Sequence, residues 1–166
     1  MKWTSGGAVL LALTLLAAAA CAGGGQGRAG TFMERGVGLG TPVEIVEKTK
    51  RIFELHQFEI ELEQGEPDIF YMTRWRVRMP FEDEDALGVR QAESRVTVRA
   101  RPRSPTAAQG AVYRIDVTVD QRVMTAGSEG WTQITLTPQA REYAARILAD
   151  FRREFDVGGV RRYEGP

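Results

Sequence analysis

The chain has 166 residues, and its 22 Lys and Arg balance 22 Asp and Glu, so no global field directs it to nucleic acid or another polyanion. Hydrophobic residues at 43% and charged residues at 27% are the proportions of an ordinary globular domain, although part of the apolar share is concentrated at the N-terminus. One Cys and one His exclude an internal disulfide and any metal site built from several His or Cys ligands, and no cofactor is expected.

Met1 and Lys2 open the chain, and Ala8 to Ala20 is an apolar run interrupted only by Thr14. It is short of the roughly 20 residues that a transmembrane helix needs, and Gly23, Gly24 and Gly25 follow closely, so an export signal is expected over residues 1–20. The lone Cys21 stands directly after Ala18-Ala19-Ala20, which resembles a bacterial lipobox with Ala18 in the place usually held by Leu. That resemblance implies diacylation of Cys21 and a membrane anchor, each buried methylene contributing about 0.8 kcal/mol. Ordinary cleavage after an Ala-x-Ala pattern, leaving Cys21 as a free thiol, is the other outcome. Ala22 is not an Asp-type retention signal, so by resemblance to lipoprotein sorting the expected address is the periplasmic face of the outer membrane.

Residues 21–40 hold eight glycines from Gly23 onward and few sizeable apolar side chains, the composition of a flexible tether. Gly36-Val37-Gly38-Leu39-Gly40 has neither the preceding strand nor the lysine of a phosphate-binding loop, so it reads as linker too. Thr41-Pro42-Val43-Glu44 then supplies both ends of a capping box. The helix it starts presents Ile45, Val46, Thr49, Ile52, Phe53 and His56 on one face. Phe58 to Glu63 alternates as a strand, residues 64–68 supply a turn, and Ile69 to Met79 is expected as one long strand with Trp75, Val77 and Met79 inward. Ser94 to Arg101 and Val112 to Gln121 alternate likewise, and Trp131 to Leu136 is expected to add a short fifth strand. Thr137-Pro138 opens a second helix with Ala140, Tyr143, Ala144, Ile147, Leu148, Phe151 and Phe155 as its apolar stripe, and Gly158-Gly159 stops it.

The predicted fold is therefore an α+β two-layer sandwich, an antiparallel sheet of four to five strands with the N-terminal and C-terminal helices packed on one face. A single domain is expected over 41–157, followed by a charged tail at 158–166.

Strict alternation assigns Arg74, Arg76, Arg78, Arg95, Arg99 and Arg101 to the opposite sheet face, the candidate surface for an anion or a partner. Asp116 and Asp120 are available to neutralise part of it, and the exposed ion-pair lattice that results is the alternative to a binding face. The acidic run Glu82-Asp83-Glu84-Asp85 is positioned to fold over arginines; it lacks the ligand spacing and turn glycine of a calcium loop. His56 suits a cap or core edge, and the serines have no nucleophile context, so no catalytic residue is assigned and an enzyme is not expected.

The signal ending at Cys21, the glycine-rich tether and the helix-flanked sheet together resemble small bacterial outer-membrane lipoproteins. The stretch from Phe58 to Arg78, ending Thr73-Arg74-Trp75-Arg76, resembles the helix-grip domains of the C lipoprotein of the β-barrel assembly machinery. The two helices on a four-stranded sheet are more distantly similar to the lipopolysaccharide-transport lipoprotein E. Both resemblances concern architecture and transfer no site residue. They imply a non-catalytic binding or assembly module of the envelope, with a protein partner; the alternative is a binder of anionic lipid or glycolipid through the arginine face.

Overall fold

Both helices begin where the sequence places a threonine before a proline. In the computed structural model, which describes residues 29–103 and 112–156, Thr41 Oγ1 accepts the Glu44 N–H at 3.4 Å and Glu44 Oε2 accepts the Thr41 N–H at 2.9 Å. This closed box starts α1 (Pro42–Leu55), and the Thr41 backbone N–H holds the Glu44 carboxyl below the usual carboxylate range. Thr137 Oγ1 likewise accepts the Ala140 N–H at 3.2 Å at the start of α3 (Pro138–Asp156). The expected stripes are the buried ones: Ile45, Thr49, Ile52 and Phe53 of α1, and Ala140, Ala144, Ile147, Leu148, Phe151 and Phe155 of α3.

These faces cover one side of an antiparallel sheet, so the fold is an α+β sandwich of two layers. Its strands are β1 (Thr31–Gly40), β2 (Ile60–Gln64), β3 (Ile69–Thr73), β4 (Arg76–Arg78), β5 (Val89–Pro102) and β6 (Tyr113–Thr125), with a one-turn helix α2 (Glu82–Asp85) before β5. The order across the sheet is β1-β6-β5-β3-β2, and β4 pairs with β5 further along the same edge. Val96, Val98, Ala100, Ile115, Val117 and Val119 meet the helices in a core where Phe53 sits edge-on to Phe58, Tyr71 and Phe151. Each such large side chain, fully buried, contributes about 1.5–3 kcal/mol.

Three expectations are corrected. The tether anticipated over 21–40 gives way to strand by Thr31, and β1 pairs with β6 from Thr31↔Asp120 to Gly40↔Tyr113. Its glycines serve close packing: a Cβ on Gly38 would stand 2.4 Å from Phe155 Cβ, so only glycine lets α3 lie against this strand. The residues before 29, including the signal at 1–20 and Cys21, lie outside the described residues, as does the tail at 158–166.

The strand expected over 69–79 is broken. Met72 pairs with Thr97 and Arg76 with Ser94, so four steps on one side match three on the other, and one extra residue is accommodated at Arg74-Trp75. At the break the buried Thr73 hydroxyl accepts the Val96 N–H at 3.0 Å, while the Arg74 N–H turns to Glu59 O at 2.8 Å. The extra residue inverts the alternation: Val77 and Met79 are exposed, and Arg76 and Arg78 face the helices. Finally, the short strand at Trp131 to Leu136 reduces to one bridge, Thr132 with Val123.

Candidate functional site: the open face of the sheet

The face away from the helices is ordered in cross-strand rows. One runs Thr31, Asp120, Arg95; the next Met33, Thr118, Thr97, Met72; the next Arg35, Asp116, Arg99, Phe70; the last Leu39, Arg114, Arg101. Between the first and last rows lies an open basin of about 470 Å³, lined by Met33, Phe70, the two threonines, four arginines (Arg35, Arg99, Arg101, Arg114) and the two aspartates.

Both carboxylates are engaged. Asp120 accepts the Thr31 hydroxyl at 2.9 Å and pairs with Arg95 at 3.3 Å; Asp116 accepts the Gly36 N–H at 2.9 Å and lies 3.8 Å from Arg114. Asp116 thereby holds the bulge between Arg35 and Gly38, where Gly36 has a φ of 67°. Arg35, Arg99 and Arg101 are exposed and make no ion pair among the described residues. The basin thus carries four guanidinium groups against two carboxylates, with Arg99 stacked 5.4 Å from the centre of the Phe70 ring. Guanidinium forks beside apolar side chains suit a phosphate or carboxylate attached to a hydrophobic body.

The six arginines assigned to one face are therefore divided. Arg95, Arg99 and Arg101 stand on the open face; Arg74 is exposed at the strand break, outside the basin. Arg76 bonds Tyr143 Oη and Gln57 Oε1 at 3.4 and 3.2 Å on the helix side. Arg78 is buried there, bidentate to Glu84 at 2.6 and 2.7 Å and bonded to Gln121 Oε1 at 2.7 Å, with its guanidinium 4.0 Å from the Phe81 ring centre. The acidic run does fold over an arginine, but on the core side of the sheet. Arg35 and Arg114 join the basin beyond the six arginines that alternation assigns, Arg35 because the glycine-rich stretch that carries it is strand.

A second cluster lies further along the open face, beyond Arg95. Trp75, expected in the core, is instead flanked by the guanidinium groups of Arg95 at 4.6 Å and Arg122 at 4.2 Å, and Arg122 also lies 5.0 Å from Trp131. Arg122 is bonded to Glu93 at 2.7 Å.

His56 caps α1 and its Nε2 lies 2.9 Å from Asp150 Oδ2, tying α1 to α3 on the helix side away from the basin. Among the described residues no three His, Cys, Asp or Glu side chains gather as a metal site, and no helix is long and apolar enough to cross a membrane.

No family model and no curated protein matches the chain. Among solved structures it is similar to the crystal structure of an uncharacterized conserved protein YugN from Geobacillus kaustophilus HTA426, with a TM-score of 0.38 and 10% sequence identity over 72% of this chain and 86% of that one.

Proposed function

We propose that this protein is a non-catalytic binding module of the bacterial envelope, anchored through lipidated Cys21 at the periplasmic face of the outer membrane, and that its open sheet face receives an anionic partner. The observation that carries the binding role is the basin: Arg35, Arg99 and Arg101 stand exposed around it, while its two carboxylates are engaged in holding β1 and the neighbouring arginines. The lipobox-like Ala18-Ala19-Ala20-Cys21 supports the anchor. An acidic segment of an envelope protein is the partner we favour; Phe70 and Met33 beside the arginines favour, as a second reading, the headgroup of an anionic lipid or glycolipid.

A photo-crosslinking residue at position 99, in the protein in its native envelope, tests both. A discrete protein adduct supports the assembly role, and a phospholipid or glycolipid adduct supports the second reading. The same probe at Arg76, on the helix side, is the control. Absence of adducts at position 99, with wild-type behaviour of an Arg99→Glu/Arg101→Glu double variant, overturns a binding role for this face.

A further inference from the structure

Three exposed apolar side chains belong to the end of the sheet opposite the basin: Val77 at 64%, Met79 at 84% and Leu87 at 63% exposure. Val77 lies across from Glu93, and Glu93 across from Arg122, so Val77 shares the open face with the Arg122 guanidinium and the two tryptophans beside it. Leu87 stands at the tip, next to Gly88, whose carbonyl accepts the Ala126 N–H at 3.0 Å. Single exposed apolar residues need no explanation; a group that joins aliphatic side chains, tryptophan and arginine has the composition of a surface seated in the headgroup layer of a bilayer. The exposed Glu82 and Asp85 of α2 belong to the helix layer, which leaves the open face as the side suited to lipid.

The course of the chain points the same way. β1 runs antiparallel to β6, and Gly30 O accepts the Gln121 N–H at 2.6 Å, so the chain enters the sheet between the two clusters, short of the Thr125 end of β6, and runs from there along the basin. Nine residues lie between Cys21 and Thr31, a reach of at most about 33–36 Å when fully extended. Because of its bulge, β1 runs alongside β6 only from Asp120 to Tyr113, a span of about 24 Å. With the opposite end against the bilayer, about 24 Å of that reach would be consumed in returning to Thr31, against about 17 Å from the Thr125 end.

We infer that the end of the sheet bearing Trp75, Trp131, Val77, Met79 and Leu87 docks on the membrane that holds Cys21, with the arginine basin at the other end of the same face. The inference rests on the reading of Cys21 as anchor. Trp75 and Trp131 are the only tryptophans after Cys21, so intrinsic fluorescence reads this surface alone.

The test uses the chain from Cys21 onward, coupled through its single thiol to a maleimide-headgroup lipid in vesicles of phosphatidylethanolamine and phosphatidylglycerol with brominated acyl chains. Docking predicts loss of tryptophan emission relative to unbrominated vesicles, abolished in a Val77→Asp/Met79→Asp variant with unchanged circular dichroism and retained in Val43→Asp, an exposed apolar position on α1. Met79→Asp alone, at the most exposed of the three sites, is the fallback should the double variant misfold. Emission insensitive to bromine overturns the inference, and so does quenching that persists in the Val77 and Met79 variants. Mass spectrometry of the native Cys21 peptide tests the anchor separately: an unacylated thiol there overturns the anchor reading, while the coupled vesicles still report whether the surface docks.

Discussion

Arg78 and Glu84 form a bidentate ion pair with both partners buried, at 8% and 2% side-chain exposure, between the sheet and the helix layer. Gln121 completes the group, accepting from Arg78 and donating to Ala140 O of α3 at 2.8 Å, while Glu84 also accepts the Phe81 N–H at 2.9 Å. A buried charge is tolerated only with its partner, so Glu84→Ala is expected to destabilise the fold by about 3–5 kcal/mol. Replacing both, as Arg78→Met with Glu84→Leu, is expected to recover most of that loss. Urea unfolding of the single and double variants measures it, and a double variant no better than the single would show that the pair is not the origin of the cost.

Gly38 tests the packing of α3 on β1. An alanine there brings its Cβ to 2.4 Å from Phe155 Cβ, and the strain is expected to cost about 1–3 kcal/mol. Gly65, whose added Cβ meets nothing within 4 Å, is the matched control and is expected to change stability by no more than about 0.5 kcal/mol. Thermal melts of the two alanine variants should separate clearly.

Thr49 is wholly buried in α1, and its hydroxyl has no hydrogen-bond partner among the described residues. Thr49→Val keeps the branched shape and removes the unsatisfied group, so a gain of about 1 kcal/mol is expected in chemical denaturation. A loss of stability would reveal a partner for this hydroxyl.

Tyr71 and Glu63 set the pH dependence from two sides. Burial, then the Glu63 carboxylate that accepts its hydroxyl at 3.0 Å, push the Tyr71 phenol well above its ordinary range. The folded state thus favours the neutral phenol, a contribution fully present below the ordinary phenol pKa and lost as pH rises through the raised value. Glu63, bonded by Lys50 and by Tyr71, is held below its ordinary 4.5, so its contribution is present above that value and lost as the solution is acidified. In melting temperature against pH, Tyr71→Phe should flatten the alkaline side and Glu63→Gln the acid side. Because Glu63 is substantially exposed, its effect should be small and reduced by salt.

The helices were legible because Thr41, Pro42, Glu44, Thr137 and Pro138 state their boundaries locally, within a single turn. β1 was not, because the property that lets Gly38 accept Phe155, the absence of a side chain, also removes the period-two signal by which a strand is recognised. Arg95, Arg99 and Arg101 could be placed from alternation with Val96, Val98 and Ala100; of the two aspartates expected to neutralise them, Asp120 pairs with Arg95, whereas Asp116 lies by Arg114. The same alternation failed at Arg76 and Arg78, since parity survives only as far as the next bulge. The signal available there was Thr73, a polar side chain at an inward position, whose hydroxyl takes over a bond of the interrupted ladder.

The extra residue at Arg74-Trp75 makes this edge a reversible key rather than an irregularity. Removing one residue there would restore an unbroken pleat and exchange the fates of its neighbours: Val77 and Met79 would turn toward the helices, while Arg76 and Arg78 would turn to solvent, stranding Glu84 in the interior without its counterion. Everything on either side of the break, the gripping of α2 and the aromatic end of the open face alike, is addressed by a single unit of chain length. A family of such proteins diverging by insertion or deletion at this point would therefore trade one surface for the other, with hardly a change in composition.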